Sequence, residues 1–364
     1  MSAGLDRWWL RAAELSEQAA LSPTRSLHRA AYRLGDAILQ LEADQPSVPD
    51  AVRQLYSECA VDADSGARRR GVGCVLRSLD GSGITVARLE GVEDLDLATL
   101  ASPLLQPQPD KYYSIAASPT PGWRVFRAHA QDAVPVLAVG DGCVVADESR
   151  LPPFFFRDYV VAATLSVQRS VLFLHAASVS MGGSGVLLSG RAGGGKTTLS
   201  LALAARGHGF LGDDMAAIRM ESRELLPLRR TVHIRSGLRD GLVDHAIRNG
   251  AVEQELRPDG ARRLCAEPRG LFPDAPSDPV LLGGAFFLRR FSKTPSLEPF
   301  TPSLKEMPAL KTLPIRWSWG ISPGGRLIRF LTIIRLLSRV RCWHLDVGRP
   351  AETARLIETT LEDS

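Results

Sequence analysis

One short stretch constrains this chain more than any other. Gly190-Arg191-Ala192-Gly193-Gly194-Gly195-Lys196-Thr197-Thr198 satisfies the spacing G-x-x-x-x-G-K-[ST] without a gap. Its flanks also fit, with apolar Val186-Leu187-Leu188 before it and the helix-forming run Leu199-Ser200-Leu201-Ala202-Leu203-Ala204-Ala205 after it. Glycines let such a backbone wrap until successive N–H groups face inward, a cradle for phosphate oxygens. The following helix adds its unpaired donors and the positive end of its dipole. Lys196 is placed to reach the β- and γ-oxygens of a nucleotide, and the Thr197 hydroxyl to ligate Mg²⁺. A strand–loop–helix unit of this kind belongs to α/β architectures.

A pair of carboxylates returns to the same place. Asp213 follows Lys196 by 17 residues (213 − 196), at the end of the strand candidate Phe210-Leu211-Gly212. A helix over 198–205 spans only about 12 Å, so a short return through 206–209 brings Asp213 and Asp214 back beside the loop. An acidic pair so early after the loop suits transfer of a phosphoryl group to a hydroxyl, one carboxylate accepting the proton and the other working through magnesium. Upstream, Val171-Leu172-Phe173-Leu174-His175-Ala176-Ala177-Ser178-Val179 is expected as one strand with His175 in its middle. The turn at Gly182-Gly183 then makes it an antiparallel neighbour of the strand that enters the loop. A lone histidine in an apolar strand is commonly a satisfied core residue, yet this hairpin brings it toward the loop.

Composition removes several alternatives. A chain of 364 residues with 45% hydrophobic and 23% charged residues can bury a core and is neither disordered nor a small disulfide scaffold. Lys+Arg 44 against Asp+Glu 40 leaves +4, too little to argue for nucleic acid. Five cysteines without C-x-x-C spacing and seven histidines without an H-x-x-x-H pair argue against a soft-ligand metal centre. No apolar run is long enough for a membrane-spanning helix, and no secretory signal is legible at the start. Cytoplasmic localisation is the resulting expectation.

Along the chain, residues 1 to about 45 are expected to give a helix, a polar break and a strand, with Leu10, Ala13, Leu15 and Ala19 at helical spacing. Short apolar runs at 72–76, 84–89, 112–116, 123–128, 134–139 and 143–146, punctuated by Asp80-Gly81, Pro121-Gly122 and Asp141-Gly142, predict strands. A helix is expected from Phe155 to Val167, and the domain boundary near 150. Farther on, the pattern predicts a strand at 284–288, an ordered loop or lid over the proline-rich 294–314, a helix at 327–340, a strand at 342–347 and a helix at 351–361. The arginine triplet 68–70 reads as a solvated loop. Between Met307 and Leu345 lie Lys311, Arg316, Arg326, Arg329, Arg335, Arg339 and Arg341 with no acid between the first and last of them. At 100° per residue the arginines of 327–340 scatter around the axis, unlike a membrane-surface helix. They read either as packed and snorkelling side chains or as a cationic rim for an acidic partner.

These motifs together resemble the HPr kinase/phosphorylase family, whose P-loop core is related to phosphoenolpyruvate carboxykinase. Leu174-His175, Gly190–Thr198, Arg206-Gly207-His208 and Gly212-Asp213-Asp214 stand in that family's order over residues 172–217, and Glu267-Pro268-Arg269-Gly270-Leu271 is similar to its E-x-R-G-L stretch. Departures are Ala192 where the family has Ser or Thr, Thr197 where it often has Ser, and Phe272 where it has glycine. The resemblance implies an α/β fold with an HPr-kinase-type P-loop core over 151–364 and a smaller α+β domain over 1–150. It implies ATP and Mg²⁺, with Asp213 as base toward a serine-like hydroxyl, His175 as its neighbour, and Thr197, Asp214 and Glu267 on the metal side. The acceptor would be a peptide or protein, natural-product precursor peptides included, and a homo-oligomer is compatible with it. A small-molecule hydroxyl kinase and a nucleotide-binding regulator without transfer are the alternatives.

Overall fold

The computed structural model describes residues 14, 16–17, 27–63, 71–79, 83–105, 113–117, 122–128, 135–140, 142–152, 154–235, 252–256, 262–314 and 323–362. The helical positions expected before residue 20 and the triplet 68–70 lie outside them. Two compact units emerge: 1–54 with 60–168 and 316–326, and 55–59 with 169–315 and 327–364. The helix expected from Phe155 therefore belongs with the first unit, which extends to Gln168.

The first unit is built on a nine-stranded sheet. Its strands are β1 (His28–Leu34), β2 (Ala37–Ala43), β3 (Ala60–Val61), β4 (Gly71–Leu79), β5 (Ile84–Glu90), β6 (Tyr113–Ala117), β7 (Arg124–Ala128), β8 (Pro135–Gly140) and β9 (Cys143–Asp147). They run in the order β3-β1-β2-β4-β5-β9-β8-β7-β6. Neighbours are antiparallel except β2 and β4, which run parallel and are joined through helix α1 (Ser47–Tyr56). Six strands thus fall where the short apolar runs predict them, whereas the β1–β2 hairpin begins earlier than the one strand expected there. Helices α2 (Leu97–Leu105) and α3 (Phe155–Ser166) complete the unit, and Tyr159 of α3 donates its hydroxyl proton to the Leu97 carbonyl at 3.0 Å. Buried Gln168 donates to the Leu34 carbonyl and accepts from the Asp36 N–H, fastening the end of α3 to the β1–β2 turn.

The second unit is a mixed α/β layer structure. Strands β10 (Val171–Leu174), β11 (Ala176–Met181), β12 (Ser184–Gly190), β13 (Gly209–Gly212), β14 (Ala216–Arg219) and β15 (Glu224–Leu226) belong to its large sheet. A small antiparallel sheet follows, of β16 (Val232–Arg235), β17 (Val252–Leu256) and β18 (Arg262–Ala266). The large sheet is completed by β19 (Val280–Phe291), β20 (Ser296–Phe300) and β21 (Arg341–Val347). At its centre β12, β19 and β21 run parallel, with β19 in the middle. Both faces of these strands are buried, and the alternation shows it: Val186, Leu188, Phe286 and Leu288 pack to one side, Leu187, Ala285 and Phe287 to the other. The first face is covered by α4 (Lys196–Ala204), through Leu199 and Leu203, and by α8 (Pro350–Glu362), through Ala354 and Ile357. The second is covered by α7 (Pro323–Leu337), through Ile333, Leu336 and Leu337. The one-turn helices α5 (Pro268–Leu271) and α6 (Met307–Leu310) lie between these elements in sequence.

Two expectations are corrected. The segment 294–314 is not all loop: β20 pairs antiparallel with β21, since Leu297 and Phe300 find apolar cover there. The strand expected through His175 is two strands, because β10 pairs with β14 while β11 pairs with β12 and β13. His175 sits at the break. No disulfide links the five cysteines, and burial pushes the Cys342 thiol up to about 12.

Candidate active site

Parallel strands deliver their carboxyl ends to one edge, and ligand sites in α/β sheets collect there. Here Gly190 at the end of β12, Phe291 at the end of β19 and Val347 at the end of β21 meet at that edge. A cavity of about 650 Å³ opens there, lined by the loop from Ala192 to Thr198, Asp213, Asp214, His233, Phe291, Val347, Gly348 and Pro350. The loop needs its glycines: φ is +78° at Gly193 and +98° at Gly195, conformations that a Cβ makes costly. Gly195 caps α4 without a side chain, which leaves the helix N-terminus open to a ligand.

Lys196, only 6% exposed, begins the first turn of α4. Its ammonium donates to the carbonyls of Gly190 at 3.0 Å and Arg191 at 3.4 Å, and lies 3.2 Å from Nε2 of His175. Burial holds its pKa below the ordinary lysine value, opposed by the charges of Asp214 and Asp213. Because an ammonium has protons only to give, Nε2 of His175 must be the acceptor and Nδ1 carries the ring proton. Nδ1 in turn faces Oδ1 of Asp214 at 3.2 Å and the Asp214 carbonyl at 3.1 Å. Asp214 turns toward the histidine through a left-handed backbone, φ +61°.

Thr197, the next residue, donates to the carboxylate of Asp213, with both oxygens at 3.0 Å. Asp213 is 8% exposed, and its carboxyl is pushed up to about 6, first by burial and then by the neighbouring charge of Asp214. The Thr197 hydrogen bond and the charges of Arg230 and Lys196 oppose that rise. The expected partners are therefore crossed: His175 meets Asp214, not Asp213, and Thr197 meets Asp213. The return predicted from helix length is otherwise as expected, with both aspartates beside the loop.

The oxygen donors Thr197 and Asp213 suit a hard cation. Among the described residues no group of three or more His, Cys, Asp or Glu side chains could hold a metal alone. Magnesium travelling with a nucleotide needs fewer, because phosphate oxygens and waters complete its shell. Glu267 does not line the cavity. It is exposed and starts α5, where its carbonyl accepts from the Gly270 and Leu271 N–H groups. Arg206 and His208, which also match the family pattern, both bind the Glu358 carboxylate, tying the end of α4 to α8. Sequence reading missed His233 and Phe291, which line the cavity, and Arg230, whose charge acts on Asp213. Nothing in their neighbourhoods marks them, since only tertiary packing brings them near the loop.

No protein-family profile matches the chain. It is 30% identical over 183 residues to an HPr kinase/phosphorylase of Leptothrix cholodnii, covering 40% of this chain and 54% of that protein. It is 37% identical over 71 residues to an HPr kinase/phosphorylase of Chlorobium limicola, covering 20% of this chain and 19% of that one. The chain thus spans about half the length of the first relative and a fifth of the second. The structure of the HPr(Ser) kinase/phosphatase from Coxiella burnetii overlaps 53% of this chain and 95% of its own, at 17% identity and a TM-score of 0.26. The sequence relatives carry the comparison.

Proposed function

We propose that this HPr-kinase-like chain is an ATP-dependent kinase, moving the γ-phosphoryl group to a serine-like hydroxyl of a peptide or protein. The observation that carries this reading is the convergence of Lys196, Thr197, His175 and both aspartates at the mouth of one glycine cradle. The loop N–H groups and the start of α4 hold the phosphates, and Lys196 leaves its own loop carbonyls to neutralise the oxygens that gain charge during transfer. Thr197 and an aspartate would hold Mg²⁺, which would supply further neutralisation of the phosphate charge. Asp213 accepts the hydroxyl proton: a carboxyl pushed up to about 6 is matched to that task near neutral pH. The alcohol then attacks phosphorus in line, and the nucleoside diphosphate leaves. The HPr-kinase relatives support a protein or peptide acceptor, and a precursor peptide of a natural product belongs to that class.

The crossed contacts favour a second assignment of roles within the same reaction. Once Lys196 swings to the phosphates, Nε2 of His175 is released with Nδ1–H held by Asp214. The imidazole then takes the proton while Asp213 stays with Thr197 on the magnesium side. Incubation with γ-labelled ATP and separate pools of serine-containing peptides and hydroxylated metabolites tests the function. Label should enter the peptide pool; label confined to metabolites makes the chain a small-molecule kinase, and tight ATP binding without transfer makes it a regulator. For the roles, Asp213→Asn should abolish transfer under the first assignment. Under the second it should chiefly raise the Mg²⁺ requirement, with His175→Ala losing transfer instead.

A further inference from the structure

On the α7 side of the second unit, away in sequence from the loop, lies a cleft of about 530 Å³ lined by Arg169, Ser170, Met220, Glu221, Arg223, Thr332, Arg335, Leu336 and Arg339. Four arginines line it from three places: the stretch before β10, the β14–β15 turn, and the last turn of α7 with the turn after it. Among the described residues no carboxylate pairs with Arg169, Arg335 or Arg339, and Glu221 pairs with none of the four. Glu224, the first residue of β15, is taken by Arg219. Arg223 adopts φ +64° and donates to the Arg339 carbonyl at 3.3 Å. The C-terminal end of a helix dipole welcomes Arg335 and Arg339. It does not account for Arg169 and Arg223, which come from other elements. Along the same helix, Leu327, Ile328 and Leu331 are 60%, 66% and 51% exposed, an apolar run leading into the arginine end.

We propose that this cleft and the adjoining face of α7 dock an acidic peptide segment that also carries apolar side chains. Arg335 stands in the last turn of α7 and Arg339 in the turn just past its end, while Arg169 and Arg223 come from other elements, so positive charge is strung along the cleft. A peptide laid along the cleft can set its carboxylates against these arginines and its apolar side chains against Leu331 and Met220. A lone inorganic anion needs donors converging on one point, whereas these are spread across separate elements. A bilayer is planar, whereas these arginines line a concavity. The inference stands apart from phosphoryl transfer, because the binding needs no nucleotide.

Fluorescence anisotropy tests it, with the full chain and a fluorescein-labelled octapeptide of alternating Glu and Leu. Binding should be saturable and weaken with salt. It should fall at least tenfold in Arg335→Gln/Arg339→Gln, and also in Arg169→Glu, while both variants keep the wild-type thermal midpoint and circular dichroism spectrum as proof of folding. Equal binding of a Lys–Leu octapeptide, no loss in either folded variant, or no binding to the wild type would overturn the proposal. So would displacement of the peptide by low-millimolar inorganic phosphate, which marks a simple anion site. Binding to phosphatidylserine vesicles with none to the peptide would transfer the face to a membrane role and overturn it as well.

Discussion

At the residue scale, the chemistry rests on groups whose charge is unsettled by burial. Lys196 is held back from the usual lysine range and Asp213 is pushed up to about 6. Replacing Lys196 by Ala should lower kcat by 10²–10³, about 3–4 kcal/mol of lost charge stabilisation, measured under saturating ATP. Asp213 makes a separate prediction for the ligand-free protein. A carboxyl raised from 3.8 to about 6 binds its proton more tightly folded than unfolded. Stability is therefore highest below pH 4 on this account and is lost as pH rises through 6, by up to about 3 kcal/mol. Asp213→Asn should raise the thermal midpoint at pH 7, with the gain shrinking toward zero at pH 4. Thermal melts without nucleotide or magnesium check this, and a gain independent of pH would exclude the titration as its cause.

At the element scale, the loop between β12 and α4 was fully legible, because its signal is local. Glycines at positions of positive φ, an apolar strand before and a helix after all lie within one short stretch. Gly195→Ala tests how much of the cradle depends on backbone form. At φ +98°, with the Phe291 ring 3.5 Å from where the new Cβ would lie, strain of about 1–2 kcal/mol should weaken ATP binding roughly tenfold or more. Calorimetric titration of ATP reads it. The hairpin β11–β12 was equally plain, its Gly182-Gly183 turn setting Met181 opposite Ser184. The break at His175 was not, since an apolar run carries no mark of which neighbour each half will pair with. The lid expected at 294–314 hid β20 for a similar reason: its prolines suggested loop, while an edge strand tolerates them.

At the scale of the whole molecule, the chain does not divide at a single point. Residues 55–59 belong with the second unit although they lie within the first in sequence. There Glu58 accepts the Arg269 N–H at 2.7 Å and lies 3.7 Å from the Arg229 guanidinium, both charged side chains being nearly covered. Burial lowers the Arg229 pKa, and Glu58 opposes that. Glu58→Ala should therefore destabilise by about 2–3 kcal/mol, toward the low end for a broken buried pair because Arg229 keeps the carbonyls of Phe210 and Ala275. A fall in the urea midpoint of the full chain checks it; an unchanged midpoint would mean the pair contributes nothing. No helix among the described residues is long and apolar enough to cross a membrane.

Local periodicity and turn chemistry were enough to write down the glycine loop, its helix, the return of Asp213 and Asp214, most strands of the first unit and about half of those of the second. These features depend on neighbours within a few residues, where steric limits on φ and the side-chain period operate. Which strands lie side by side was decided only by packing. The parallel trio β12, β19 and β21 assembles from segments spread over some hundred and fifty residues and brings Phe291 and Gly348 to the edge where the glycine loop lies. Packing likewise gave Thr197 to Asp213 and His175 to Asp214, and left Glu267 outside the cavity. One residue's difference along the Asp213-Asp214 turn reverses the direction of a side chain, and sequence spacing cannot see that.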